Sequence, residues 1–293
     1  MTQTIDEFAY LADEAAEVGA DPVVPDVRRV TADAPGGELS ALLWGVEPRL
    51  TLLHGAGLNA HTWDATLLRL RRDALAVDLP GHGDSAWRDD FDYGARTNAA
   101  AVAAALDALA PGVPQAVIGQ SLGGSTAIAL LEARPELVAS LVLVDVSPGL
   151  RPADASSVRD FLAGPLVFDS REQIVELAVA SGIGSDRVRL ARGVVLNTRV
   201  RDDGKVVFKH HLAAPPAGAS LDTDFSGLWA PLEASDVPVL LVHGSSGFLP
   251  PDVVAEFHAR VPRAALVELD AGHNVQEQQP AALADAITAF LAA

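Results

Sequence analysis

The stretch from Ala116 to Leu130, which reads AVIGQSLGGSTAIAL, constrains this chain more than any other. Residues 116–118 form a short apolar run suited to a buried strand, and residues 125–131 favour a helix. Between them lies the pentapeptide GQSLG, with Ser121 at its centre. A Gly-x-Ser-x-Gly turn between a strand and a helix is typical of a nucleophile elbow, in which the serine adopts a strained backbone conformation and exposes its hydroxyl. The flanking glycines are required because strand and helix pass too close for a Cβ atom.

Apolar runs alternate with helical patterns on both sides of this turn. Strands are predicted at residues 27–31, 39–44, 49–54, 74–77, 116–118, 141–144, 239–242 and 265–269. Helices are predicted at residues 62–72, 98–109, 125–135, 252–260 and 281–291. Strands that alternate with helices of this length imply right-handed crossovers, so the fold class is α/β with a mostly parallel sheet flanked by helices.

The alternation of predicted strands and helices, and its interruption, divide the chain into three parts. Residues 1–26 are predicted to be a helical extension, with an amphipathic helix at residues 4–18. Residues 27–150 and 231–293 form the α/β core, and residues 151–230 are predicted to be a cap inserted into it. Within the cap we expect short helices at residues 156–163, 171–181 and 186–197, and a hairpin with Asp203-Gly204 at its tip. Trp229 is predicted to be a packing anchor.

Composition excludes several classes of function. The 293 residues are enough for one large α/β domain with an insertion, but the net charge of −18 argues against nucleic acid and anionic membranes as partners. The chain has no cysteine, which rules out a thiolate nucleophile and a disulfide framework. The acidic first 18 residues are unlike a signal peptide, and no apolar run approaches the length of a membrane span, so we expect a cytoplasmic protein. The oligomeric state stays open.

Four short motifs, in this order, resemble those of the α/β-hydrolase superfamily. They are His54-Gly55-Ala56-Gly57, Asp78-Leu79-Pro80-Gly81-His82-Gly83, Gly119-Gln120-Ser121-Leu122-Gly123 and Ala271-Gly272-His273. The resemblance covers the chain from about residue 27 to the end, apart from the predicted cap. It implies an α/β-hydrolase fold with Ser121 as the nucleophile. It also implies an oxyanion hole made by the backbone amides of Ala56 and Leu122, with Gly57 as the alternative to Ala56.

A serine hydroxyl needs an adjacent base, and the chain has eight histidines. His273 is predicted to be that base because it follows a strand and comes after Ser121 in the order that this fold requires. His54 is expected to make structural hydrogen bonds, whereas His82 and His243 lie at loop positions where a place at the pocket border stays open. His210 and His211 are predicted to be neighbours on a strand, so that their side chains point to opposite faces. His258 is predicted to lie on a polar helix face.

The acid of the triad is the least regular part of the pattern. Many relatives in the superfamily carry it after the next-to-last strand, where this chain has Gly247 instead. Asp145 ends the strand that follows the elbow helix, at the sheet edge where Ser121 lies, and some family members carry their acid there. We predict that Asp145 orients His273 and stabilises its imidazolium form. Asp252 remains an alternative, although a role as N-cap of the following helix explains it. A structural role is expected for Asp78.

These assignments predict a serine hydrolase, most simply a carboxylesterase that cleaves small to medium uncharged esters through an acyl-enzyme. No cofactor or metal is expected, and a serine excludes the carboxylate-nucleophile route of related dehalogenases and epoxide hydrolases. Two alternatives stay open, namely C–C bond or thioester hydrolysis by the same triad and a ligand-binding protein that has lost its acid. The apolar cap residues either form the roof of the acyl pocket or simply pack together: Phe161, Leu166, Phe168 and Ile183.

Overall fold

An eight-stranded sheet forms the centre of the molecule. In this computed structural model the described residues are 6–151, 167–181, 184, 186–213 and 225–293. The strands of the sheet are β1 Val27–Ala34, β2 Gly37–Trp44, β3 Leu50–Leu53, β4 Ala74–Val77, β5 Gln115–Gln120, β6 Val138–Val144, β9 Val239–Gly244 and β10 Ala265–Leu269, while β7 Thr198–Val200 and β8 Val206–Phe208 form a separate hairpin. The order is β1-β2-β4-β3-β5-β6-β9-β10, with β2 antiparallel to both neighbours and all other pairs parallel. The predicted α/β class is confirmed.

Helices cover both faces of this sheet. The helices of the described residues are α1 Leu11–Glu17, α2 Asp64–Leu70, α3 Ala95–Leu109, α4 Leu122–Ala133, α5 Arg171–Ala180, α6 Arg187–Leu196, α7 Trp229–Ala234, α8 Pro251–Arg260, α9 Val275–Gln278 and α10 Pro280–Leu291. The layer that contains α3, α4, α7 and α8 packs on one face, and the layer that contains α1, α2, α9 and α10 packs on the other. Because helices bury both faces, the central strands are continuous apolar runs rather than alternating ones.

Most predicted elements are present, with shifted bounds. Among the described residues from 6 onward, the helix predicted at residues 4–18 spans Leu11–Glu17, and the short helix Val275–Gln278 was not predicted. Trp229 is buried against Phe257, with 5.9 Å between the ring centroids, which confirms its predicted role as an anchor. No helix in the described part of the chain is both long enough and apolar enough to cross a membrane.

The described parts of residues 151–230 include a small cluster of their own. Helices α5 and α6 pack with the hairpin of β7 and β8, in which Thr198 pairs with Phe208 as the Asp203-Gly204 tip predicted. Phe168 packs into this cluster against Phe208, so among the described residues it has the packing role rather than the roof role. The predicted helix at residues 156–163 and the side chains of Phe161, Leu166 and Ile183 lie outside the described residues. The division into core and cap stays a prediction.

Candidate active site

Ser121 lies between the end of β5 and the start of α4, in the conformation that the sequence pattern predicts. Its φ of 52° and ψ of −118° lie in a region that side-chain-bearing residues rarely adopt. A Cβ atom at Gly119 would lie 2.4 Å from the carbonyl oxygen of Gly123, and one at Gly123 would lie 2.1 Å from the carbonyl oxygen of Leu53. The two glycines are therefore needed for strand and helix to approach this closely.

His273 contacts Asp145, which directly follows β6. The distance from Nδ1 of His273 to Oδ2 of Asp145 is 2.7 Å, and the Asp145 carboxylate is fully buried. Two backbone amides also donate to this carboxylate, from Phe248 to Oδ2 at 2.8 Å and from Gly244 to Oδ1 at 3.1 Å. A buried carboxylate held in this way is fixed in place and keeps the proton of the imidazole on Nδ1.

Gly247 leaves room for the carboxylate that contacts His273. A Cβ atom at Gly247 would lie 2.2 Å from Oδ1 of Asp145 and 2.6 Å from Oδ2. Glycine at residue 247 therefore leaves the space that the Asp145 carboxylate fills.

Asp252, the alternative acid, lies elsewhere. Its side chain is 66% exposed and forms an ion pair with Arg151 at 3.0 Å. The expectation that it caps the following helix was wrong, because α8 begins at Pro251 and Pro250 is the N-cap residue. A proline at the first helical position is favourable because its missing N–H would have no partner there, so Asp252 falls inside the first turn.

The predicted oxyanion donors lie in the turn after β3, which carries Ala56, and at the start of α4, which carries Leu122. Among the described residues, the backbone N–H groups of Ala56 and Leu122 have no hydrogen-bond acceptor. The N–H of Gly57, the alternative donor, is already used because it donates to Nε2 of His82 at 3.1 Å. The geometry therefore favours Ala56 over Gly57 as a free donor.

Two buried histidines hold this turn in shape. Nδ1 of His54 donates to the carbonyl oxygen of Gly55 at 2.7 Å, and Nε2 of His54 accepts from the amide of Leu79 at 3.0 Å. Burial lowers the pKa of His54 to about 4 and that of His82 to about 3, with a further contribution to His82 from the neighbouring His54. Both rings are therefore neutral at ordinary pH, which His82 needs in order to accept from Gly57.

The other histidines lie away from this turn or beneath it. The prediction that His210 and His211 share a strand was wrong, because β8 ends at Phe208. His210 is buried between Phe208 and His82, whereas His211 stacks on Trp87 with 4.4 Å between the ring centroids. The two side chains therefore have different ring neighbours, and both residues come after the end of β8. His258 is exposed on α8, as predicted.

Three residues that touch this site were not predicted from the sequence. The ring of Phe248 stacks on the ring of His273, with 3.7 Å between the centroids and 13° between the planes. Nε2 of Gln120 lies 3.0 Å from Nε2 of His273. Nδ2 of Asn197, in the predicted cap, donates to the carbonyl oxygen of Gly57 at 2.6 Å. Only Gln120 had a visible signal, since it lies inside the Gly-x-Ser-x-Gly pattern at the position before the serine.

Fold and site together have the arrangement of a hydrolase with a serine elbow, and comparison with known proteins agrees. A model of the alpha/beta hydrolase family matches residues 52–286, and the chain belongs to this family. It is 41% identical to Esterase Rv0045c of Mycobacterium tuberculosis, over 98% of this chain and 96% of that protein. A solved structure of the same M. tuberculosis esterase superposes with a TM-score of 0.86 at 39% identity, over 99% of this chain and 100% of the other. A structure of E-2-(acetamidomethylene)succinate hydrolase superposes with a TM-score of 0.79 over 92% of this chain and all of the other, but at 22% identity it shows the fold alone.

Proposed function

We propose that this protein is a serine esterase that hydrolyses small to medium carboxylic esters through an acyl-enzyme intermediate. The observation that carries the proposal is the 2.7 Å contact between His273 and Asp145, at the sheet edge where Ser121 is held in its strained turn. The 41% identity to an M. tuberculosis esterase over nearly the whole chain supports the same activity. Small-molecule esters are the expected substrates. We also propose that both the alcohol part and the acyl part of these esters are uncharged.

In the proposed cycle, the hydroxyl of Ser121 attacks the ester carbonyl while Nε2 of His273 takes its proton. Asp145 keeps the other ring nitrogen protonated and stabilises the imidazolium that forms. The developing oxyanion accepts hydrogen bonds from the amides of Ala56 and Leu122, and the start of α4 adds the positive end of its dipole. His273 then returns the proton to the leaving alcohol, and water repeats the sequence to release the acid. Each proton is returned within the cycle, so it requires no cofactor.

The alternative of a binding protein depended on a missing acid at Gly247. The contact of Asp145 with His273 removes that reason, which supports catalysis. Thioester or C–C bond hydrolysis would use the same groups, so only a substrate panel separates these reactions from ester hydrolysis. We also propose that residues 151–230 form a cap, since Asn197 from this segment contacts the turn that carries Ala56.

The proposal is tested with nitrophenyl esters from acetate to laurate, alongside matched thioesters and a vinylogous diketone. We expect the highest kcat/KM on an ester of short or medium acyl chain, and background rates for Ser121→Ala. Ser140→Ala is the matched control, because Ser140 is a buried serine near the start of β6, at the far end from Asp145, and its loss should leave the rate unchanged. Turnover of the thioester or diketone alone would contradict an esterase.

A further inference from the structure

The side chain of Gln120 contacts Nε2 of His273, the ring nitrogen that catalysis needs. Nε2 of its carboxamide lies 3.0 Å from Nε2 of His273 and 3.3 Å from the backbone carbonyl oxygen of the same residue. The Gln120 side chain is buried, with 1% of the residue exposed. It is therefore a buried amide in contact with the base, directly before the serine in the chain.

The contacts fix both the amide orientation and the imidazole tautomer. A carbonyl oxygen can only accept, so the group that faces the backbone oxygen of His273 must be the NH2 of Gln120. That NH2 also faces Nε2 of His273, which must then be the unprotonated nitrogen. The proton lies on Nδ1, where Asp145 accepts it at 2.7 Å. All three contacts agree on one tautomer.

An imidazole nitrogen has one lone pair, and two donors compete for it here. Deprotonation of Ser121 requires that its hydroxyl donate to Nε2 of His273. Within the described part of the chain, Oγ of Ser121 has no hydrogen-bond partner, whereas Gln120 is within hydrogen-bonding distance of Nε2. The resting arrangement therefore pairs the base with the amide and not with the nucleophile.

The oxygen end of the carboxamide is held by packing and not by a hydrogen bond to any described residue. Oε1 of Gln120 is buried and has no hydrogen-bond partner among the described residues. A Cβ atom at Gly55 would lie 2.1 Å from this oxygen, so the glycine leaves the slot that the amide fills. The carboxamide therefore has one end that contacts His273 and one unpaired end beside Gly55, in the turn that carries the predicted oxyanion donor Ala56.

We propose that Gln120 is a positioning residue that selects the Nδ1–H tautomer of His273 and holds its Nε2 lone pair until substrate opens the contact. This inference rests on the proposed triad. Removal of the amide by Gln120→Met, which keeps an apolar chain of similar length in the buried slot, frees the lone pair for Ser121. The rate constant for labelling of Ser121 by a fluorophosphonate probe should then rise by about 2- to 12-fold, the factor that corresponds to one neutral hydrogen bond.

Gln278→Met is the matched control for loosening of the loop around His273. Oε1 of Gln278 accepts from the amide of Gly272 at 2.6 Å, so the variant removes a hydrogen bond beside His273 without touching its ring. We expect the labelling rate of this variant to stay at or below that of the wild type. An equal rise in both variants, or no rise in Gln120→Met, would overturn the inference.

The ¹⁵N signal of Nε2 of His273 in the full-length protein gives a second readout that does not depend on the labelling rate. If Gln120 is the donor, Ser121→Ala leaves this signal in place, and Gln120→Met in the Ser121→Ala background moves it toward that of an imidazole nitrogen without a donor. A shift in Ser121→Ala would show that Ser121 is the donor and would overturn the inference. If the probe fails to label the wild type, the proposed function fails, while the ¹⁵N comparison still decides which group donates to His273.

Discussion

The carboxylate of Asp145 and any side chain at residue 247 exclude each other. A Cβ atom on Gly247 would lie 2.2 Å from Oδ1 of Asp145, well inside van der Waals contact. The same carboxylate lies 2.7 Å from Nδ1 of His273. The side chain of Asp145, directly after β6, and the glycine at residue 247, after β9, therefore share one space beside His273.

Gly247→Ala should displace the Asp145 carboxylate and lower activity in a folded protein. A displacement of about 1 Å in a catalytic group costs about 100-fold in rate, so we expect a fall in kcat of that order. Gly193→Ala is the control, because Gly193 lies in α6 and a Cβ atom there meets no atom within 4 Å. Steady-state kinetics and circular dichroism on both variants check this. Wild-type kcat in Gly247→Ala would contradict the steric account.

Asp145→Asn should lower kcat by about 1,000- to 10,000-fold, because the amide can turn its NH2 toward His273 and stabilise the wrong tautomer. Asp252→Asn should leave kcat unchanged, since Asp252 is exposed and pairs with Arg151 at the surface. Ester turnover and thermal unfolding are measured on both variants. A large loss in Asp252→Asn, with Asp145→Asn near wild type, would reverse the assignment of the acid.

Asn197→Ala should reduce kcat by about tenfold by releasing the turn that carries the oxyanion donor. The amide of Asn197 donates to the carbonyl oxygen of Gly57 at 2.6 Å, and its Oδ1 accepts from Asn59 at 3.2 Å. Gln173→Ala, on the exposed side of α5, is a control from the same predicted cap and should have no effect. Equal rates for Asn197→Ala and Gln173→Ala would show that this contact does not position the turn.

Three buried histidines should each contribute less to stability as the pH falls below about 6.5, the ordinary histidine pKa. Burial lowers the pKa of His54 to about 4, and that of His82 and His210 to about 3. The unfolded chain therefore binds more protons than the folded one between these values and 6.5, and the stabilisation from the neutral rings is complete only above 6.5. Denaturant unfolding at several pH values between 4 and 7 measures the free energy of unfolding. Each such ring lowers it by up to about 1.4 kcal/mol for each pH unit below 6.5.

His210→Phe tests the source of this pH dependence. Neither ring nitrogen of His210 has a hydrogen-bond partner in the described part of the chain, so phenylalanine removes a titrating group without removing a hydrogen bond. The slope of stability against pH should become shallower in this variant and stay unchanged in His258→Gln, where the histidine is exposed. A His210→Phe slope that matches the wild type would contradict the assignment.

The sheet and the elbow were predictable because local pattern determines both. Buried parallel strands read as short apolar runs, and only glycine at residues 119 and 123 allows the approach of strand and helix around Ser121. The sequence also showed that His273 comes after Ser121 and that Asp145 lies at the end of a strand. Their catalytic roles stay predictions, although the structure brings Asp145 and His273 into contact.

The rest of the site depends on contacts between residues that are distant in the chain. Asn197 reaches Gly57 across 140 positions, and Gln120 reaches His273 across 153, so no local pattern reports either contact. The hydrogen bond from the Gly57 amide to His82 depends likewise on how two loops pack together. Helix bounds such as that of α8 shifted because a proline at the first helical position, and not the adjacent aspartate, begins the helix.

The most direct test of the central claim is the site of covalent labelling by a fluorophosphonate, read by intact-mass measurement and peptide mapping. We predict a single adduct on Ser121, formed in wild type and Ser140→Ala, absent in Ser121→Ala, and accompanied by complete loss of ester hydrolysis. An adduct on another residue, or ester hydrolysis that survives in Ser121→Ala, would contradict it.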